Sequence, residues 1–374
     1  MTSVPSRKSD VLIIDDCGIE MIAKCIPVEF SVSILRNREG VPCIYKPIFL
    51  LLLLKRITQF GLTNKALISA IVDVVQPEVI ISFVDTNPIM GELSLIFQEK
   101  LVISIQNGMR MAPSEFLEKV HNFSFPYYFS FGEYEKHMIE KYKIKSRGVN
   151  GVGSLKLGIF LSKHTVGFKK NSNVCLISQY LKPPVTELID DYIVKLNVIY
   201  SNLIMWNNNC KEQRKIIVAM RNNKDDKEAY FFTNNIDAKN VELINNVNFS
   251  SYKHGINSQI VVTMDSTLGF ELFGLGCKVL FCAAIVGDEF PHKKNIDIIL
   301  SKIPQFILLK SCKQEEFNSK INALINMDIE KYLLLTKNAR KYYMKYGKKY
   351  PHEIVSEFIA DFMQKETLTV GSNV

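Results

Sequence analysis

The eight cysteines, at positions 17, 25, 43, 175, 210, 277, 282 and 312, include no CxxC pair. Scattered thiols, several of them inside apolar runs, argue against a disulfide framework and a structural zinc site and fit a reducing compartment. No apolar run approaches the ~20 residues that a membrane span needs. The most apolar stretch, from Ile48, reaches Lys55 and Arg56 after seven residues. It is expected to be a buried helix, with an interfacial helix or a peripheral membrane contact as alternatives. The opening "MTSVPSRKSDVLIIDD" meets an aspartate pair after four apolar residues, too few for the core of a signal peptide. Basic runs interleaved with aromatics are missing, as are signatures of RNA- or DNA-binding modules, so no nucleic-acid partner is expected. Nothing resembles a D-x-D metal loop, since Ile189-Asp190-Asp191 falls inside a predicted helix. No metal and no cofactor is therefore expected. The expected location is cytoplasmic, with the inner membrane face as a place of peripheral attachment.

What is present is ordinary globular material in quantity. The 374 residues are 47% hydrophobic and 22% charged, and this length exceeds one ordinary core, which predicts two domains. The 46 Lys+Arg against 38 Asp+Glu give a net charge of +8, a mild preference for anionic ligands such as nucleotides or phospholipids.

The order along the chain is α/β. Runs of branched apolar residues at 10–15, 77–85, 100–108, 123–132 and 148–154 read as buried strands, separated by helical segments such as 62–75 and 88–98. Strand and helix in alternation imply right-handed crossovers and a parallel sheet. The same grammar restarts with a strand at 172–180, a helix at 184–203, strands at 215–221 and 259–265, a helix from Leu268 and a strand at 278–284. The expected boundaries are 1–165 for a first Rossmann-like domain, 166–330 for a second, and 331–374 for C-terminal helices and a tail that pack back across the joint. Two doubly wound sheets facing one another are the expected architecture.

In open α/β sheets, ligands bind outside the carboxyl ends of the strands, and the polar clusters fall there. They are Asp15-Asp16-Cys17-Gly18-Ile19-Glu20, Asp85-Thr86-Asn87, Gln106-Asn107-Gly108-Met109-Arg110, Ser178-Gln179, Arg221 and Asp265-Ser266-Thr267. In "DSTLGFELFGLGCKVLF", from Asp265, a plain N-cap accounts for one hydroxyl. It does not account for Glu271, because a capping box would place the acid at position 270, which is Phe. A helix N-terminus favours phosphate, so Ser266 and Thr267 are candidate phosphate donors and Glu271 a candidate partner of ribose hydroxyls, with Gly269 between them. Arg221 suits a leaving phosphate, or is a solvated surface arginine. Asp16, Glu20 and Asp85 are candidate general bases, with helix capping as the alternative for the first two. Asn87, Gln106, Asn107, Gly108 and Arg110 form a candidate acceptor- or donor-sugar-binding set, with Gly108 expected at positive φ; the alternative is a turn into the next helix. His254, shortly before the key strand, and His292, on a loop after the last strand, are weaker candidates for contact with the nucleotide.

The segment "DSTLGFELFGLGCKVLF" resembles the donor-binding segment of bacterial GT-B glycosyltransferases, in particular the surface carbohydrate biosynthesis proteins, where D-S-T-x-G-x-E precedes x-x-x-G-x-K-V. "ISIQNGMR" at 103–110 and "VLIIDDCGIE" at 11–20 resemble the same family, so the likeness runs from about residue 11 to 285. It is also similar to enzymes that use CMP-linked ulosonic acids, the Kdo and sialic acid transferases. The resemblance implies that Ser266 and Thr267 contact the donor phosphate and Glu271 the ribose.

The expected function is metal-independent transfer of a sugar from a nucleotide donor, a CMP-linked ulosonic or nonulosonic acid in the first instance, to a surface glycan or lipid-linked acceptor. The alternatives are a nucleotide-sugar 2-epimerase on the same frame, against which the scarcity of histidine in the first half argues, and a non-catalytic nucleotide- or glycan-binding subunit of a polysaccharide assembly complex.

Overall fold

The computed structural model describes residues 8–36, 47–110, 124–165, 171–181, 187–222, 225–234, 240–283 and 293–371. The chain divides into two compact units. The first comprises Met1–Gly108, Pro113–Ser162 and Tyr346–Val374; the second comprises Met109–Ala112 and Lys163–Lys345. Both are α/β.

In chain order the first unit runs β1 (Val11–Ile14), α1 (Ile19–Ile22), β2 (Val32–Leu35), α2 (Pro47–Phe60), α3 (Asn64–Val75), β3 (Val79–Ser82), α4 (Pro88–Ile96), β4 (Leu101–Ile105), β5 (Ser124–Ser130), α5 (Glu133–Lys141), β6 (Lys145–Gly151) and α6 (Leu155–Lys163). Its six strands are all parallel in the order β2-β1-β3-β4-β5-β6. The inner strands β1, β3 and β4 are buried at every position, which is why their sequences are continuous Val, Leu and Ile rather than alternating. Pro126 sits within inner strand β5 without breaking a ladder, because pairing to β4 begins only at Tyr127. The edge strands differ from expectation. β2 carried no recognised signal, and β6 begins at Lys145 rather than near 148, since a largely exposed edge needs few apolar residues.

The second unit runs β7 (Val174–Ile177), α7 (Glu187–Asn208), β8 (Ile216–Ala219), α8 (Asp226–Thr233), β9 (Val241–Ile244), α9 (Ser250–Asn257), β10 (Ile260–Thr263), α10 (Thr267–Leu275), β11 (Val279–Phe281), α11 (Lys293–Leu300), a short 3₁₀ turn at Gln305–Ile307, α12 (Gln314–Asn326) and α13 (Ile329–Tyr343). Its parallel sheet has the order β11-β10-β7-β8-β9. The final helix, α14 (Pro351–Gly371), belongs to the first unit, where Phe358 meets the rings of Tyr127 and Phe129 edge-on at 5.4 and 5.3 Å and Val355 and Ile359 are fully buried.

The stretch from Ile48 is a helix, but not a buried one. Only Phe49 of α2 is buried, with Leu52 and Leu53 partly packed on the same core, whereas Ile48, Leu50, Leu51 and Leu54 are all more than half exposed. One face of α2 lies on α3 and the core, and Arg56 bends back to Asp73 at 2.7 Å, so among the described residues nothing covers the opposite leucines. Among the described residues no helix is long and apolar enough to cross a membrane.

The contrast predicts that Ile359→Ala lowers unfolding free energy by roughly 2–5 kcal/mol, while Leu54→Gln shifts it by less than about 0.5 kcal/mol. Denaturant unfolding of the two variants checks both numbers.

Candidate functional site

Three neighbouring strands of the second unit, β10, β7 and β8, deliver their polar residues to one edge. A strand end exposes backbone amides that no ladder satisfies, and side chains must take them. Gln179, two residues past β7, accepts with Oε1 from the amides of Met264 and Asp265 at 3.0 and 3.1 Å and from the Thr263 hydroxyl at 3.3 Å. Its Nε2 donates to Asp265 Oδ1 at 2.5 Å. One amide thus ties the exit of β7 to the exit of β10.

The exit of β8 is held by a residue that sequence reasoning passed over. Glu228, in the first turn of α8, is fully buried and accepts from the amides of Arg221 and Asn222 at 2.8 and 3.0 Å, from Asn222 Nδ2 at 2.9 Å and from the Ser178 hydroxyl. Asp225 caps the same helix through the amides of Lys227 and Glu228. With its amide fixed, Arg221 leaves its side chain exposed at this edge.

Ser266 occupies the N-cap of α10, yet its side chain makes no capping hydrogen bond. The amide of Met109, from the short segment counted with this unit, donates to the Thr267 hydroxyl at 3.0 Å. Gly269 is required by close approach: a Cβ there would lie 2.6 Å from Thr263 Cγ2, so the helix rests directly on β10. Glu271 is buried at 3% exposure, and Tyr252 of α9 donates its hydroxyl to Oε2 at 2.7 Å. Ser178, Gln179, Arg221, Asp265, Ser266 and Thr267 therefore share one edge. His254 does not, for it lies in the last turn of α9, the end that leads to the amino end of β10. His292 lies outside the described residues.

The first unit has its own polar edge. Asp15 ends β1 at φ 77, where non-glycine residues rarely settle, and its carboxylate accepts from the Cys17 amide at 2.9 Å. Gly18 follows at φ 70 with Phe83 so near that a Cβ would come within 2.4 Å of its ring. Asp16 is half-buried, and Glu20 is exposed in α1. Asn87 acts as the N-cap of α4, accepting from Ile89 at 3.2 Å. Asp85 is buried at 2% exposure and accepts from the Tyr128 hydroxyl at 2.9 Å and from the Asn107 amide at 3.4 Å.

Gln106 is equally buried. Its Nε2 donates to Glu135 Oε1 at 2.7 Å and to the Gly108 carbonyl at 2.9 Å, and its Oε1 accepts from the Phe131 amide at 2.7 Å. Burial pushes the Glu135 carboxyl up to about 7, with the Asp85 charge adding to this and the Gln106 hydrogen bond and nearby amides opposing it. Gly108 corrects one expectation: among the described residues the glycines at positive φ are Gly18, Gly61, Gly153 and Gly276. Its carbonyl is held by Gln106, so this turn needs no left-handed residue. Asn107, Gly108 and Arg110 are half-buried. No group of three or more His, Cys, Asp or Glu able to hold a metal ion occurs among the described residues.

Two units, each a parallel sheet wound with helices, with a helical C-terminal segment, define the GT-B fold class. A family model described as "putative O-antigen biosynthesis protein" matches residues 103–288, and the resemblance to surface carbohydrate biosynthesis proteins is borne out there. No curated protein matches the sequence significantly. Among solved structures, the wall teichoic acid polymerase TagF is similar with a TM-score of 0.55 and 10% identity over 96% of this chain and 90% of that one. The S. aureus MnaA–UDP co-structure has a TM-score of 0.53 and 11% identity, covering 97% of both chains. The UDP-GlcNAc 2-epimerase from Neisseria meningitidis bound to UDP-GlcNAc has 0.52 and 12%, covering 95% of this chain and 99% of that one. At such identities the likeness is one of fold.

Removing the Glu228 carboxylate strands two amides and two side-chain donors. Glu228→Ala is expected to lower unfolding free energy by roughly 2–4 kcal/mol and Glu228→Gln by less, because the isosteric amide keeps an acceptor oxygen. Chemical denaturation of both variants checks the order.

Proposed function

We propose that this protein is a glycosyltransferase of bacterial surface polysaccharide biosynthesis, with its nucleotide-sugar donor bound at the carboxyl edge of the second unit. The observation that carries the reading is the unused hydroxyl of Ser266. It stands at the N-cap of α10 without capping it, so the helix presents free amides and an alcohol together, as a phosphate requires. Gln179 and Glu228 hold the neighbouring loops rigid, and Arg221 adds an exposed guanidinium at the adjoining strand exit. Solved structures of the same fold include complexes with UDP and UDP-GlcNAc and a crystal soaked with CDPG, which supports a nucleotide-sugar class of substrate.

In the proposed reaction an acceptor hydroxyl oxygen attacks the anomeric carbon, the carbon–oxygen bond to phosphate breaks, and the phosphate leaves as an anion met by α10, Ser266 and Arg221, with no metal invoked. The hydroxyl proton passes to a carboxylate, for which Asp85, Asp16 and Glu20 are the candidates. The sequence resemblance favours a CMP-linked ulosonic or nonulosonic acid as donor and a glycan or lipid-linked acceptor. Glu271 reaches a ribose only by giving up part of its buried bond to Tyr252. For a lipid-linked acceptor, peripheral attachment at the inner membrane face is part of the proposal: α2 offers exposed Ile48, Leu50, Leu51 and Leu54, and its charges are Lys55 and Arg56 with no acid. A 2-epimerase is the second reading, favoured by the epimerase structures of the same fold.

A thermal-shift panel of CMP, CDP, UDP, GDP and ADP is expected to give stabilisation by one of them, about 2.7 kcal/mol at one hundred times Kd. Ser266→Ala and Arg221→Ala should each weaken that ligand roughly tenfold or more while the unliganded melting temperature stays in place. Silence across the panel removes the reading, and conversion of a nucleotide sugar to its 2-epimer without acceptor selects the alternative. Cosedimentation with anionic but not neutral vesicles, reduced in a Leu51→Gln/Leu54→Gln variant, tests the membrane attachment.

A further inference from the structure

The edge of the first sheet buries two acids that are served unequally. Asp85 receives a donor on each oxygen, Tyr128 Oη on Oδ2 and the Asn107 amide on Oδ1. Glu135 receives Gln106 Nε2 on Oε1, while its Oε2 is buried and has no hydrogen-bond partner among the described residues. The two are joined by a short covalent path: Gln106, gripped by Glu135, precedes Asn107, which grips Asp85. A buried carboxyl with one oxygen left bare is costly as an anion and tolerable as a neutral acid.

We propose that Glu135 is paired with Asp85 as a positioning residue: held as the neutral acid, it keeps the Gln106–Asn107 turn on Asp85 without burying a second charge at this edge. The proposal rests on the reading of Asp85 as acceptor-side base only for its consequence in catalysis, not for the pairing itself. The neutral Glu135 still accepts from Gln106, so the Asn107 amide stays in place, and no second negative charge competes with Asp85. From β5 and β6, packed against α5, the other titratable groups are Tyr127, whose ring meets Phe358, Tyr128, which serves Asp85, and Lys145 and Arg147, both exposed, with Arg147 engaged by the carbonyls of Gln98 and Lys100. On α5 itself Lys136 and His137 are exposed and Glu133 is half-buried. The charge placed to act on Glu135 is that of Asp85.

The sign of the stability effect follows from the raised carboxyl. Between its ordinary value of 4.5 and about 7 the unfolded chain releases this proton and the folded chain keeps it, so stability falls as pH rises through that window and levels off above it. Melting temperature followed from pH 4 to 8 in the full chain is expected to show this fall. Glu135→Gln should flatten it, and Asp85→Asn should move its upper end to lower pH, because the repelling charge is gone. A Glu135→Gln profile like the unmodified protein's, or an unmoved window in Asp85→Asn, overturns the pair. Should Glu135→Gln fail to fold, direct carboxyl titration by NMR in the unmodified and Asp85→Asn proteins decides the same point. A transferase assay forms a separate arm: in Glu135→Gln the upper limb of the kcat profile should extend to higher pH at unchanged KM for the donor. No change in that limb, with the stability arm positive, removes Asp85 as base and leaves the pair standing.

Discussion

Parallel strands buried on both faces end abruptly, and the amides and carbonyls beyond the last ladder bond have no partner in the sheet. Each unit meets that constraint with a glutamine just past an inner strand, buried in the case of Gln106 and half-buried in that of Gln179. Gln179 spans from β7 to the residues after β10, and Gln106 spans from β4 to the residues after β5. A glutamine suits this place because its side chain both accepts and donates without carrying charge, so it satisfies strand-end amides with little desolvation cost.

Charge is then added one layer out, from helices rather than strands. Glu228 enters from the first turn of α8 and Glu135 from the first turn of α5, each reaching back to the sheet edge. Their surroundings send them in opposite directions. Glu228 collects four donors across both oxygens, whereas Glu135 takes Gln106 on Oε1 and leaves Oε2 bare. On the proposed reading, the second unit's edge receives an anion and the first unit's edge keeps a proton.

The central strands and the long helices were legible because burial on both faces writes an unbroken apolar run, as in "VIIS" and "IVVT", and because the polar residues at their ends are read by position alone. Edge strands were not, since Lys145–Gly151 is held by backbone bonds and little else. The α2 leucines were misread because apolar sequence states a preference for burial, while the neighbour that would bury them is a matter of packing. Most of the Ser178, Gln179, Asp265 and Ser266 edge was visible from strand ends. Glu228 and Glu135 were not, because an acid in a helical first turn looks solvated until the strand end it reaches back to is known. His254 was drawn in by nearness in sequence to β10, and helix direction carries it to the other end.

The return of the chain through α14 has a consequence for biosynthesis. The aromatic surface of Tyr127 and Phe129 is translated long before Phe358, which covers it. A nascent chain therefore carries six synthesised strands with an uncovered greasy flank while the whole second unit is still being made. The first unit therefore cannot complete its packing until the chain that follows the second has been made.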